Sequence, residues 1–147
     1  MFVTGFDREV GEFVAKGVGM PVDEFGKFTA IGWSGDNGLY AGVVYHNYRK
    51  TDIELVVYSE RVNWLTRKVL QYIFTYPYIQ LGCVRTTAVT GRKNHRTRKL
   101  LLGVGYRLEG VCRKGMDGKQ DAFIYGMLRD ECKWLTSKTT HGQEINT

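Results

Sequence analysis

A chain of 147 residues with 43 % apolar and 13 % aromatic side chains can bury a core, which excludes a disordered polymer and fits one domain. The formal net charge is +6, but it is unevenly spread: residues 61–108 hold ten Lys or Arg and no Asp or Glu, and the remainder holds 11 basic against 15 acidic residues. Charge separated this way marks a surface that faces a polyanion, either a nucleic acid or the phosphates of a nucleotide cofactor.

No stretch approaches the roughly 20 apolar residues of a membrane span. The N-terminus (MFVTGFDREVGEF) has acids where a secretory signal would be basic and then apolar. Cys83, Cys112 and Cys132 are odd in number and form no CxxC pair, so neither a disulfide framework nor a zinc site is expected. Small core residues or free thiols in a reducing cytoplasm fit them best.

The elements follow in chain order. Phe6, Val10, Phe13 and Val14 lie at helical spacing, with Gly17, Gly19 and Pro21 expected to end the helix by Lys16. From Lys27 the period changes to that of strands. KFTAIGWS and LYAGVVYHNY flank a GDNG turn, and IELVVYS follows Arg49–Asp52, which predicts an antiparallel meander. Val62, Leu65, Val69, Tyr72, Ile73 and Tyr76 mark one face of a helix of about four turns that Pro77 should stop.

CVRTTAV reads as a strand, Asn94 opens a short helix through RTRKLLL, and YRLEGVCR and DAFIYGMLR are strands joined by the GMDGK turn. Residues 1–135 therefore form one α/β (α+β) domain with a mixed sheet, and 136–147 is expected to be a flexible tail.

The stretch from Asn94 to Gly110 (NHRTRKLLLGVGYRLEG) is the most diagnostic. It resembles the N-x-x-(A/S)-x-x-L-x-x-x-G-(F/Y)-x-x-E-G signature of the GNAT superfamily, the acetyl-CoA-dependent N-acetyltransferases. The match resembles most the ribosomal-protein-acetyltransferase-like branch and small proteins of tailed phages, with Arg113, Gly118 and Tyr125-Gly-Met127 following in order. The resemblance covers about four fifths of the chain. It implies a GNAT fold: a mostly antiparallel sheet of six to seven strands, splayed at the cofactor site and flanked by about three helices. The N-terminal region is shorter than the family's usual strand and two helices.

The resemblance also implies roles. The pantetheine arm of acetyl-CoA would pair with the splayed end of the third strand, at Val57, Tyr58 and Ser59. The pyrophosphate would sit on the start of the next helix, drawing on Arg61, Asn63, Trp64, Leu65 and Thr66. Here the chain departs from the family, whose loop carries glycines where this one reads Arg61–Val–Asn–Trp–Leu–Thr66.

Asn94 fits both a cofactor contact and a plain helix cap. Of Arg92, Lys93, Arg96, Arg98 and Lys99, one or two, Arg98 among them, would reach the adenine-ribose 3′-phosphate of the cofactor. Glu54 is placed to act as general base through a water, or simply to pair with a cross-strand cation. Many family members carry a Tyr proton donor four residues before the signature glycine, and here that residue is Leu101. Ser59 or Tyr58 would have to donate instead, and His46 is a weaker candidate.

The implied acceptor is a primary amine, on a protein or peptide, attacked directly in a ternary complex. Two readings compete with it. The acid-free block fits an enzyme acting on nucleic acid or tRNA, and the missing glycines and Leu101 fit an inactive phage-type protein that binds a host factor. If phage-encoded, the chain would work in the host cytoplasm. Trp33, Trp134 and the aromatic strands fit either a homodimer surface or the core.

Overall fold

The computed structural model describes residues 1–135, so the expected flexible tail at 136–147 lies outside the described residues. The chain begins with β1 (Phe2–Val3) and α1 (Asp7–Val18), then a short 3₁₀ turn at Val22–Phe25. The meander follows as β2 (Phe28–Gly35), β3 (Gly38–His46) and β4 (Asp52–Ser59). Next come α2 (Arg67–Thr75), β5 (Arg85–Gly91), α3 (His95–Val104), β6 (Arg107–Met116) and β7 (Gln120–Leu128).

All seven strands form one sheet in the order β1-β2-β3-β4-β5-β7-β6. Every pairing is antiparallel except β4 with β5. That parallel pair needs a crossover, and α2 supplies it.

Two apolar layers hold the sheet. Alternate strand residues such as Val43, Tyr45, Ile53 and Leu55 face α2, Leu101 and Val104 of α3, and the returning segment with Trp134. The opposite alternation, with Ala30 and Val44, packs on Val10, Val14 and Ala15 of α1. Trp33 is 5 % exposed, and the indole of Trp134 donates to the Val104 carbonyl at 2.8 Å. Both side chains are held within this chain's own fold.

The helix bounds differ from expectation in instructive ways. Gly17 does not end α1 but lies inside it, and Gly19, at φ +78°, is the left-handed cap. A Cβ on Gly17 would sit 2.2 Å from the Tyr58 ring, so the missing side chain allows helix and strand to approach. α2 starts five residues later than its apolar spacing suggests. Val62, counted on its buried face, is 71 % exposed, and Thr66 is the true cap, its Oγ1 accepting from the Val69 N–H at 3.2 Å. The α-helix does end beside Pro77, at Thr75, and the backbone continues as a wider π turn at Tyr76–Gln80. The Leu81 N–H then closes on Tyr76 O at 3.0 Å.

A chain of buried hydroxyls locks α2 to the C-terminal strands. Tyr106 Oη, Thr86 Oγ1 and Tyr78 Oη lie 2.9 and 2.8 Å apart in series, and Tyr78 Oη donates to Met127 O at 2.7 Å. Read as Tyr106 to Thr86 to Tyr78 to Met127, each proton has one acceptor. Burial pushes both phenols well above their ordinary pKa, so the chain stays neutral and intact at any physiological pH. Thr86→Val should orphan the Tyr106 hydroxyl and lower stability by about 1–3 kcal/mol in urea denaturation, with the same fold by circular dichroism.

Candidate active site at the fork between the fourth and fifth strands

β4 and β5 pair over only three positions, Asp52↔Arg85, Ile53↔Thr86 and Glu54↔Thr87. Beyond Glu54 they part, because each stays with its outer neighbour. β4 remains on β3 as far as Ser59↔Ala41, and β5 remains on β7 as far as Gly91↔Ala122. The result is a V-shaped opening between two complete half-sheets. Glu60 N–H donates to Tyr40 O on the β3 side, and strand alternation then turns the backbone groups of Val57 and Ser59 into the opening. Those groups are an unfilled strand edge, suited to a ligand that carries amides.

Both α2 and α3 begin at the open end, since each follows one of the two parallel strands. The loop between β4 and α2 lacks glycine, yet Asn63 takes φ +58°, the left-handed conformation that asparagine tolerates better than most side chains. Trp64 anchors the loop edge-on against Trp33, with ring centroids 5.3 Å apart. Leu65 packs on the core beside it. The Thr66 side chain and carbonyl satisfy the N–H groups of Val69 and Leu70, the latter at 2.9 Å. Among the described residues the Arg67 and Lys68 N–H groups are left without partners. The first turn of α2 thus presents two free donors, two cationic side chains and no acid, which is an anion site by composition and dipole.

The other residues named from sequence sit as follows. Arg61 turns to the β2–β3 hairpin, its guanidinium 3.8 Å over the Tyr40 ring and 2.6 Å from where a Cβ on Gly35 would sit. Ser59 Oγ donates to Arg61 O at 2.9 Å and accepts from Arg61 N–H at 3.0 Å, so the hydroxyl braces the turn above the fork. Tyr58 lies on the α1 face, its ring 5.5 Å from that of Phe13. Asn94 caps α3, Oδ1 accepting from Thr97 N–H at 3.2 Å. Arg98 points inward rather than to solvent. It stacks 4.3 Å over Phe123, donates to Tyr125 Oη at 3.2 Å and to Arg92 O at 2.9 Å. Leu101 packs on the core.

Glu54 is the last β4 residue before the split, on the α1 face. Its cross-strand partner is not Lys or Arg but buried His46, whose Nε2 lies 3.1 Å from Oε2, with Asn47 Nδ2 at 3.4 Å from Oε1. A carboxylate only accepts, so Nε2 carries the proton. Nδ1 of His46 is buried without a hydrogen-bond partner.

Below the split, Arg85 bridges strands: Nη2 is 2.7 Å from Glu109 Oε1 and Nε is 3.5 Å from Asp52 Oδ1. Thr87 Oγ1 donates to Asp52 at 2.9 Å. The hydrogen bond to Glu109 raises the Arg85 pKa above its ordinary value. Glu109 crosses to Arg85 over Gly126 of β7, in space that a Cβ would enter at 2.3 Å from the carboxylate. Sequence reasoning missed this clamp, along with Arg67, Lys68 and Tyr125. The EG pair of the signature was the one pointer to Glu109.

No protein family and no curated protein matches the chain by sequence. Solved structures do match by shape. A GNAT-family acetyltransferase from Bacillus anthracis superposes with TM-score 0.59 at 21 % identity, covering 82 % of this chain and 73 % of that one. The chain has the GNAT acetyltransferase fold. A spermidine N-acetyltransferase mutant from Vibrio cholerae gives TM-score 0.70 at 12 % identity over 92 % of this chain and 98 % of its own. The ribosomal-protein-S5-alanine acetyltransferase from Vibrio fischeri gives 0.61 at 15 % over 72 % of this chain and 64 % of its own. This chain therefore spans less than two thirds of the last protein's length. No helix among the described residues is long and apolar enough to cross a membrane.

The Arg85 clamp sits at the foot of the fork. Arg85→Gln should cost about 1–2 kcal/mol of stability, reduced from the full value of charged hydrogen bonds by partial exposure, and less at high salt. Paired urea titrations at low and high salt check both points.

Proposed function

We propose that the chain is an N-acetyltransferase that moves acetyl from acetyl-CoA to a primary amine, with a protein amine as the acceptor class. The observation that carries this reading is the juxtaposition of the β4/β5 opening with the acid-free first turn of α2. One offers backbone to a pantetheine arm and the other offers donors to a pyrophosphate. Asn63 supports it by supplying the left-handed turn that a glycine would give in this loop. The protein acceptor rests on the sequence resemblance and on likeness to an enzyme whose name specifies a ribosomal protein. A small polyamine is the other acceptor suggested by the neighbours.

Acetyl-CoA, when bound, supplies an activated acetyl thioester. The chain's own part is to align and to move protons. The N–H groups of Arg67 and Lys68, with the two side chains, hold phosphate. Val57 and Ser59 backbone groups align the arm, and an N–H in this edge polarises the thioester carbonyl. Glu54, oriented by His46 at the apex, takes the amine proton through a water. Ser59 helps by bracing the turn, while its proton is engaged by Arg61. Arg98 acts from beneath α3, where it fixes the Arg92 carbonyl and so the loop beside the opening. Leu101 leaves the departing thiolate without the family's usual donor, which leaves protonation from solvent as the route.

Acetyl-CoA at about a hundred times its dissociation constant should stabilise the protein by about 3 kcal/mol, seen as a rise in Tm; no rise at millimolar acetyl-CoA would sink the proposal. Asn63→Gly should keep that rise and Asn63→Val should reduce it, since a β-branched residue is strained at φ +58°. Glu54→Gln keeps the shape and an oxygen to accept from His46, and gives up only the 3.4 Å contact with Asn47. It should leave Tm nearly unchanged and lower kcat/KM for a peptide amine by about 10²–10⁴-fold, with acetylated product read by mass spectrometry.

A further inference from the structure

The sequence places its cations in one block, but the fold adds more beside them. Arg92 and Lys93 lie in the loop after β5, and Arg96 and Lys99 lie one turn apart on the exposed side of α3. The β6–β7 hairpin, from outside the acid-free block, brings Arg113, Lys114 and Lys119 to the same corner. Backbone contacts fix this arrangement: Arg92 N–H donates to Asp121 O at 2.9 Å, Lys93 N–H to Gln120 Oε1 at 3.1 Å and Lys114 N–H to Asp121 Oδ1 at 3.0 Å. The only carboxylates in these segments, Asp117 and Asp121, both accept from backbone N–H groups. Among the described residues, none of the seven cations has an ion-pair partner.

The corner therefore carries seven positive and two negative charges, a balance of +5. Removing these nine residues leaves 14 basic (21 minus 7) against 13 acidic (15 minus 2) in the whole chain. Almost the entire net charge sits at one corner. Its hairpin lies beyond β5 by two strand spacings of about 4.8 Å each, on the side of the sheet away from the start of α2. The pyrophosphate proposed for the start of α2 draws on none of these seven cations.

We propose that this corner binds the phosphodiester backbone of a nucleic acid strand. The chemistry favours that partner over an acidic protein or a membrane. Protein interfaces need an apolar centre, and membrane binding needs apolar side chains among the cations. The exposed apolar side chains of α3 and β6, Leu100, Leu102, Leu108 and Val111, all lie outside the segments 92–99 and 113–121 that carry the cations. A phosphate backbone requires only closely spaced positive charge, and the three arginines add planar donors that fit phosphate.

Fluorescence anisotropy with a labelled single-stranded RNA and with a DNA duplex, over a salt series and without acetyl-CoA, tests this independently of acetyl transfer. Five to seven phosphate contacts predict a log–log salt slope of about −3 to −5 on the single strand. The variant Arg113→Gln/Lys114→Asn/Lys119→Gln, with asparagine chosen to suit φ +54° at Lys114, should flatten the slope by about 2. It should also weaken low-salt binding by about tenfold or more. Arg92→Gln/Arg96→Gln/Lys99→Gln should do the same, while Lys16→Gln/Lys27→Gln, elsewhere on the surface, should change nothing. Absence of binding to both nucleic acids at low salt would overturn the proposal. So would binding by both corner variants as tight as that of the unmutated protein, or tighter binding to phosphatidylserine vesicles or an acidic peptide than to RNA.

Discussion

The structure depends on one short piece of parallel pairing, three residue pairs between β4 and β5. Had it run on to Ser59, the sheet would be continuous and no strand edge would be open. Had it been absent, the two half-sheets would be separate bodies. The pairing survives at this length because both sides are reinforced below the split, by Arg85 between Asp52 and Glu109 and by the hydroxyl chain through Thr86. One reinforcement is charged and half-exposed, the other neutral and buried. They fail under different conditions, so the foot of the fork is protected against salt by one and remains ordered at the surface through the other.

The same constraint distributes chemistry. Parallel strands send their following helices out at the same end, so α2 and α3 both begin where the sheet opens. Anion-binding groups, open backbone and the basic loop after β5 are therefore neighbours through topology, although they come from separate parts of the chain. The apex residue Glu54 belongs to the opposite face, with α1, His46 and Asn47. Under the proposed function, proton acceptance and phosphate binding would fall on different faces of one sheet.

Much of this was legible in the sequence. Period-two runs gave the meander, and the Asn94–Gly110 signature gave the fold family and the cap of α3. What failed were readings in which a local signal competes with a tertiary contact. Val62 and Leu65 lie at helical spacing, but Thr66 offers a better cap and Trp64 is held by Trp33. Gly17 looks like a terminator until the Tyr58 ring is seen to occupy its missing side chain. Arg98 reads as a cation that reaches a cofactor phosphate, and nothing in the run RTRKLLL shows that Phe123 and Tyr125 wait beneath it. Cross-strand partners, such as His46 for Glu54 or Glu109 for Arg85, depend on register and on a bulge that composition does not specify.

The tryptophans carry a consequence of their own. The chain has three. Trp33 and Trp64 meet under the loop before α2, and the Trp134 ring lies 5.9 Å from the Arg67 guanidinium in the first turn of that helix. All indole emission from this protein therefore arises around a single helix start. Intrinsic fluorescence, usually a gauge of whether a protein is folded, is here an optical probe of one loop.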